Sequence, residues 1–313
     1  MSYAHAQYAQ SLADFGAPRH LPRCGGWVLE RAIPGAGGLR DAAGSYPLFR
    51  CADWSGLADD LAELRRDGLV SLVLVADPLG GTPPAGFGTL FPDLARPWKE
   101  HCLVDLDRDP ARLGTDHHRR NARRFLRHAR VEVCGEPAAL LDTWCGLYAE
   151  LVRRHRIAGI ARFSRAAFAA QLALPGALLL RAVTAAGETA GMQLWLAEGD
   201  VAWHHLSGYA PAGYRWGGAS YALVQAALVH LAARGVRTAD LGAGAGLDAD
   251  AADGLHAFKA GWATRTAPAW LCGAVLDRSA YAELGAGRTG AFFPLYRDPS
   301  PAREPEALHA DRR

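Results

Sequence analysis

Between residues 177 and 241 the chain alternates strand-length apolar runs with tight turns and then changes period, an order that few folds accommodate. Ala177 to Val183, Ala190 to Ala197 and Val201 to Tyr209 read as three strands, with turns at Gly187 and at Gly199-Asp200. A glycine-bearing loop leads into a long helix from about Ser220 to Arg234, closed by Gly235, and then a short strand from Arg237 to Leu241. A meander that feeds a helix and one more strand defines an α+β unit.

The N-terminal half is less explicit. Leu57 to Arg66 has helical period, and Leu69 to Val75 reads as a buried strand. Asp77 to Pro97 is dense in glycine and proline and is expected to be loop, before a strand at His101 to Leu106. A basic helix follows from about Asp116, a candidate N-cap, to Arg130. Gly135-Glu136-Pro137 punctuates the chain, and helices are expected from there to about Arg156 and from Ser164 to Leu174. The boundary between two domains is therefore set at 135/136, with residues 1–135 and 136–297 as the domains. The Pro-rich charged residues 298–313 are expected to be a disordered tail.

Composition removes several functions. Half of the 313 residues are hydrophobic, enough for one large core or two ordinary ones. No run reaches the ~18 apolar residues of a membrane span, and Met1 to Gln7 lacks a secretory pattern, so the cytoplasm is the expected compartment. Six cysteines are scattered without CxxC or Cys/His clustering, which points to neither disulfides nor a metal site. A net charge of +2 is too small for a dedicated nucleic-acid binder. Thirty-two of the 34 basic residues are arginine; Lys99 and Lys259 are the exceptions. A compact ammonium differs chemically from a guanidinium, so lysine at 259 draws attention.

Ala239-Asp240-Leu241-Gly242-Ala243-Gly244-Ala245-Gly246 resembles the first motif of S-adenosylmethionine methyltransferases. In a doubly wound domain that loop follows the first strand and several βα units come after it. Here most strand and helix signals precede the string, so it reads as a scaffold loop and methyl transfer stands as a minor alternative.

The run from Val201 to Trp262 is more informative. Strand alternation puts Trp203, His205, Ser207 and Tyr209 on one face and His204 on the other. The loop from Arg215 through Gly217, Gly218, Ala219 and Ser220 opens the long helix, whose N-terminal N–H groups can hold a phosphate. This order is similar to that with which GNAT acyltransferases cradle the pyrophosphate of coenzyme A. Asp240-Leu241-Gly242-Ala243-Gly244, followed by Gly254-Leu255-His256-Ala257-Phe258-Lys259-Ala260-Gly261-Trp262, resembles the D-x-G-G and G-L-x-x-F-K-x-G-F signature of Fem-type aminoacyltransferases. Arg119-Arg120-Asn121-Ala122-Arg123-Arg124 resembles that branch's basic segment. Trp262 in place of phenylalanine, and Gly217-Gly218 in place of proline, are departures.

The resemblance covers residues 45 to 275 and implies an α+β protein of two GNAT-like domains, each a mixed sheet flanked by helices, with the acceptor between them. It implies acyl transfer, with acyl-CoA or aminoacyl-tRNA as co-substrate and no permanently bound cofactor. The partners implied are a small-molecule or cell-wall-precursor acceptor and, for the second donor, tRNA as carrier. Lys259 is implied to place positive charge beside the reacting acyl group, where it could stabilise an oxyanion. His205 and Tyr209 are candidate general bases, and Asp240 a base or an orienter of Lys259. Arg119, Arg120, Arg123 and Arg124 form a cationic helix face suited to substrate phosphates. The rival reading is a non-catalytic ligand-binding module with the same fold.

Overall fold

A computed structural model describes residues 3–83, 85–244 and 254–299, with the backbone alone at Ala111, Arg215 and Trp216. Gly246, Asp253, residues 300–313 of the expected tail and the Arg215 side chain thus lie outside the described residues.

The first half contains α1 (Ala6–Gln10), β1 (Ala17–Leu21), β2 (Gly26–Ala32), β3 (Arg40–Gly44), α2 (Leu57–Arg66), β4 (Leu69–Ala76) and α3 (Phe87–Leu90). It continues through β5 (Leu94–Asp105), α4 (Asp116–Phe125) and β6 (Ala129–Val133). There follow α5 (Leu141–His155), α6 (Arg165–Leu172), β7 (Ala177–Thr184), β8 (Thr189–Glu198), β9 (Val201–Tyr209), α7 (Pro211–Trp216) and α8 (Ala219–Ala233). The last elements are β10 (Thr238–Asp240), α9 (Gly254–Ala260), β11 (Arg265–Val275) and α10 (Arg278–Leu284).

The meander β7–β8–β9, helix α8 and strand β10 fall where the sequence places them. The basic helix is shorter than expected: Thr115, not Asp116, is its N-cap, its side chain accepting from the His118 N–H, and the chain leaves the helix at Phe125 to enter β6. The Gly/Pro-rich stretch 77–97 holds α3 and the start of β5 rather than loop alone.

Among the described residues the strands form one sheet of eleven, in the order β1-β2-β3-β4-β11-β5-β10-β9-β8-β7-β6. Each half repeats one plan. β1–β2–β3 form an antiparallel meander, α2 crosses over, and β4 returns parallel to β3. β7–β8–β9 do the same, with α8 as crossover and β10 parallel to β9. The strands that follow are exchanged: β5, after β4, pairs with β10, and β11, after β10, pairs with β4. β5 and β11 then pair with each other at the centre.

This exchange crosses the expected boundary at 135/136. β6 joins β7 and α4 packs on α8, so residues 94–133 sit with the second meander, while β11 carries the chain back to the first. The topology also speaks against the methyltransferase reading, because β10 lies in a largely antiparallel sheet, antiparallel to β5, rather than opening a run of parallel βα units.

The sheet is covered on both faces in the second half. Helices α4 and α8 close one side over Val104, Trp195, Ala202 and Ala239; α1, α5 and α6 close the other over Met192, Leu194, Leu196 and Trp203. Helix α8 is rich in alanine and leucine, strong helix formers, and buries Ala219, Ala222, Leu223, Val224, Ala227, Leu228 and Leu231. That spacing is one helical face.

Candidate active site

Two helices meet at the loop before α8. Gly218 is its N-cap at φ +87°, and a Cβ there would come within 2.5 Å of the Asn121 carbonyl of α4. Glycine is thus required twice, by conformation and by close approach. Arg124 on α4 reaches the same place, its Nη2 3.0 Å from where a Cβ on Gly217 would be. The first-turn N–H groups of α8, at Ala219 and Ser220, have no side-chain cap, and a guanidinium stands beside them. Uncapped N–H groups, the helix dipole and a cation together favour a phosphate.

The four expected arginines divide. Arg119 folds back on its own helix start, donating to the carbonyls of Arg112 (2.9 Å) and Gly114 and to Asp116 (2.5 Å). Arg123 donates from Nε to the Arg119 carbonyl at 3.3 Å. Arg120 and Arg124 are exposed, one turn apart on the same side.

The motif around Lys259 works as a clamp on α4. Phe258 stacks on His118 with ring centroids 5.7 Å apart, and Trp262 is 1% exposed. A Cβ on Gly261 would collide with the His118 ring at 2.0 Å. His118 Nε2 lies 2.9 Å from the Phe258 carbonyl and Nδ1 2.6 Å from Thr115 Oγ1, which assigns the proton to Nε2. Burial lowers the His118 pKa, consistent with that neutral ring. Held so, Lys259 extends to the loop after β10, where Nζ donates to the Ala243 carbonyl at 2.6 Å.

The same loop receives Asp240 and Lys99. Asp240 Oδ1 accepts from the Gly242 N–H at 2.6 Å, and Lys99 Nζ donates to the Gly244 carbonyl at 3.3 Å. The other carboxylate oxygen of Asp240 lies 2.8 Å from His101 Nδ1, in a pair that is almost wholly buried. Asp240 therefore meets Lys259 through the loop backbone and orients a histidine that the sequence did not single out. His101 lies 139 residues away, and only the antiparallel register of β10 on β5 brings the two together.

β9 departs from simple alternation. The register slips between Leu194 and Trp195, so that His204 and Leu206 face neighbouring residues of β8 and His205 is the extra residue of a β-bulge. A bulge reverses the alternation beyond it. Trp203 and His205 face the α5/α6 side, as expected, but Tyr209 falls on the α4/α8 side with His204. The expectation that Trp203, His205, Ser207 and Tyr209 share one face is thus corrected.

The bulged His205 is packed among Tyr3, Tyr8 and Phe163, with Nδ1 3.2 Å from the Tyr3 hydroxyl. Burial pushes its pKa down to about 3, so it is neutral and a weak base. Tyr209 accepts from Gln193 Nε2 at 3.1 Å, and burial raises its pKa. His204 was not expected in a site, yet its ring sits near enough to Lys259 to feel its charge. Burial first, then Lys259, lower it to about 3.

Comparison with known proteins identifies one domain. A profile of GNAT acetyltransferase domains matches residues 115–260, which span α4, the meander, α8 and the Lys259 helix. The chain carries a GNAT domain. It is a GNAT-like N-acyltransferase, and its α+β fold of two GNAT-like halves is similar to that of FemX. FemX superposes with a TM-score of 0.64 at 12% identity, covering 89% of this chain and 93% of its own. The C-terminal domain of a putative lysylphosphatidylglycerol synthetase from Agrobacterium fabrum gives 0.61 at 16%, covering 88% and 90%. L-PGS from Bacillus licheniformis gives 0.55 at 14%, covering 88% and 93%. At these identities the likeness speaks for the fold alone. No curated protein sequence matches the chain. Among the described residues no helix of the GNAT domain or its partner half is long and apolar enough to cross a membrane.

Proposed function

We propose that the protein moves an acyl group from an acyl-CoA thioester to an amine or hydroxyl of a small-molecule or cell-wall-type acceptor in the cytoplasm. The observation that carries this reading is the uncapped N-terminus of α8 at Gly217-Gly218 with Arg124 beside it, one helix away from the Lys259 clamp. The pyrophosphate of the donor sits on the N–H groups of Ala219 and Ser220, and the thioester extends toward Lys259. The acceptor nitrogen or oxygen attacks the thioester carbonyl, the C–S bond breaks, and the thiol leaves with the acceptor's proton. Lys259 stabilises the oxyanion formed on the way. His101, held by Asp240, takes that proton from the attacking group and passes it to the departing sulfur, a role that His205 cannot fill from its aromatic cage. Tyr209 lines the donor side of β9.

A second reading uses an aminoacyl-tRNA. It is favoured by the exposed pair Arg120 and Arg124 on α4 and by the Fem-type resemblance. The experiment offers the protein acyl-CoAs and charged tRNAs with an amine library, following thiol release, tRNA deacylation and product mass. Thiol release with acylated product supports the first reading. Deacylation alone, with steep salt dependence, selects the second. Consumption of neither, with a rise in melting temperature on adding CoA, makes the chain a binding module.

A further inference from the structure

A cavity of 440 Å³ lies against β2, β3 and β4, within the size range of small-molecule sites and on residues that acyl transfer does not use. Phe15, Leu29, Tyr46, Val75 and Ile160 give it apolar walls, and Arg31 and Arg297 supply its charge. Both guanidiniums share one carboxylate. Arg31 Nε donates to Asp41 Oδ1 at 3.0 Å across the β2–β3 register. Arg297 donates from Nε and Nη2 to the two oxygens of Asp41 at 2.5 and 2.9 Å, and Tyr296 adds its hydroxyl at 3.1 Å.

Asp41 is fully buried and its acceptor capacity is taken up. Among the described residues no other acid pairs with either arginine, so one positive charge is left over. Arg31 lines the cavity and its side chain is 24% exposed, while its Nη2 is sealed from solvent and has no hydrogen-bond partner. Burial lowers the Arg31 pKa, Asp41 opposing and Arg297 adding to the effect. An anion against the accessible part of the Arg31 side chain would offset the surplus charge.

We propose that this cavity binds a small amphipathic monocarboxylate, with the carboxylate on Arg31 and the apolar body against Leu29, Tyr46 and Val75. A guanidinium donor matches a carboxylate through a charge-assisted hydrogen bond, and a surplus of one charge matches a monoanion rather than a dianionic phosphate. The site stands apart from the acyl-transfer reading, since it uses neither α8 nor Lys259.

Isothermal titration of the full chain with 3-phenylpropionate, its neutral amide and 2-phenylethyl phosphate tests the assignment. The acid should bind one to one, and the amide about tenfold or more weaker. Arg31→Met, which keeps an apolar stem, should erase the difference between acid and amide. Val73→Phe, which fills the cavity and keeps the charges, should remove binding of both. Equal affinity for acid and amide, tighter binding of the phosphate, indifference to Val73→Phe, or no binding at millimolar acid would each overturn the proposal. If circular dichroism finds Arg31→Met unfolded, the acid/amide comparison on the unsubstituted chain and Val73→Phe decide.

Discussion

One of the two lysines among many arginines is positioned here by three neighbours that have no chemistry of their own. Phe258, Gly261 and Trp262 dock α9 on His118, and the outcome is an ammonium at the Ala243 carbonyl. Lys259→Ala should therefore cut turnover by about 10² or more while leaving the melting temperature nearly unchanged. Steady-state kinetics beside a thermal melt would check it, and an undiminished kcat would take Lys259 out of the mechanism. The buried imidazoles of His204 and His205 make a different prediction. Each stays neutral in the fold down to about 3 but protonates near 6.5 in the unfolded chain, so the unfolded state binds more protons in between. The stability they contribute is whole above pH 6.5 and drains away as pH falls toward 3. Between pH 6.5 and 5, above most carboxylate titrations, Tm should drop by roughly 1–2 °C per pH unit for each imidazole. His205→Gln should flatten that slope; a flat profile in the unsubstituted chain would contradict the burial argument. Lys259 was legible in the sequence because of its motif and its rarity. His101 was not, because nothing near it in the chain announces Asp240.

At the level of elements, the legible parts were those whose periodicity and punctuation agree. β7, β8, β9 and α8 are long, apolar and bounded by glycine turns, and local signals sufficed. β1 and β3 are short and mixed in polarity, Ala-Pro-Arg-His-Leu and Arg-Asp-Ala-Ala-Gly, and owe their conformation to β2 between them. The bulge at His205 escaped for a related reason: alternation is read along one strand, whereas a bulge is a property of a pair. The contact between α4 and the start of α8 is the element junction with most at stake. Gly218→Ala should strain the positive φ, press on the Asn121 carbonyl and cost about 1–3 kcal/mol in denaturant melts. Arg124→Ala should leave the fold intact and raise KM for a phosphate-bearing donor more than it lowers kcat. An unchanged KM would return Arg124 to an ordinary solvated position.

On the scale of the whole molecule, the exchange of β5 and β11 joins two similar halves into one sheet. The central pairing of β5 with β11 runs from Arg265 on Leu103 to Gly273 on Leu94, so neither half can complete its sheet while the other is unfolded. Differential scanning calorimetry should accordingly record a single transition with matching calorimetric and van't Hoff enthalpies. Two separable transitions would mean that the halves are independent. The same exchange sets a timetable for synthesis. The edge of β4 at residues 71–76 is covered by residues 270–275, almost two hundred positions later. A nascent chain thus emerges with an apolar strand whose hydrogen-bonding edge waits until residues 270–275 have been made. In that interval it is a template for the wrong neighbour, another emerging copy included. Trigger-type chaperones and slow, late compaction are what a polypeptide wired in this order would require at the ribosome.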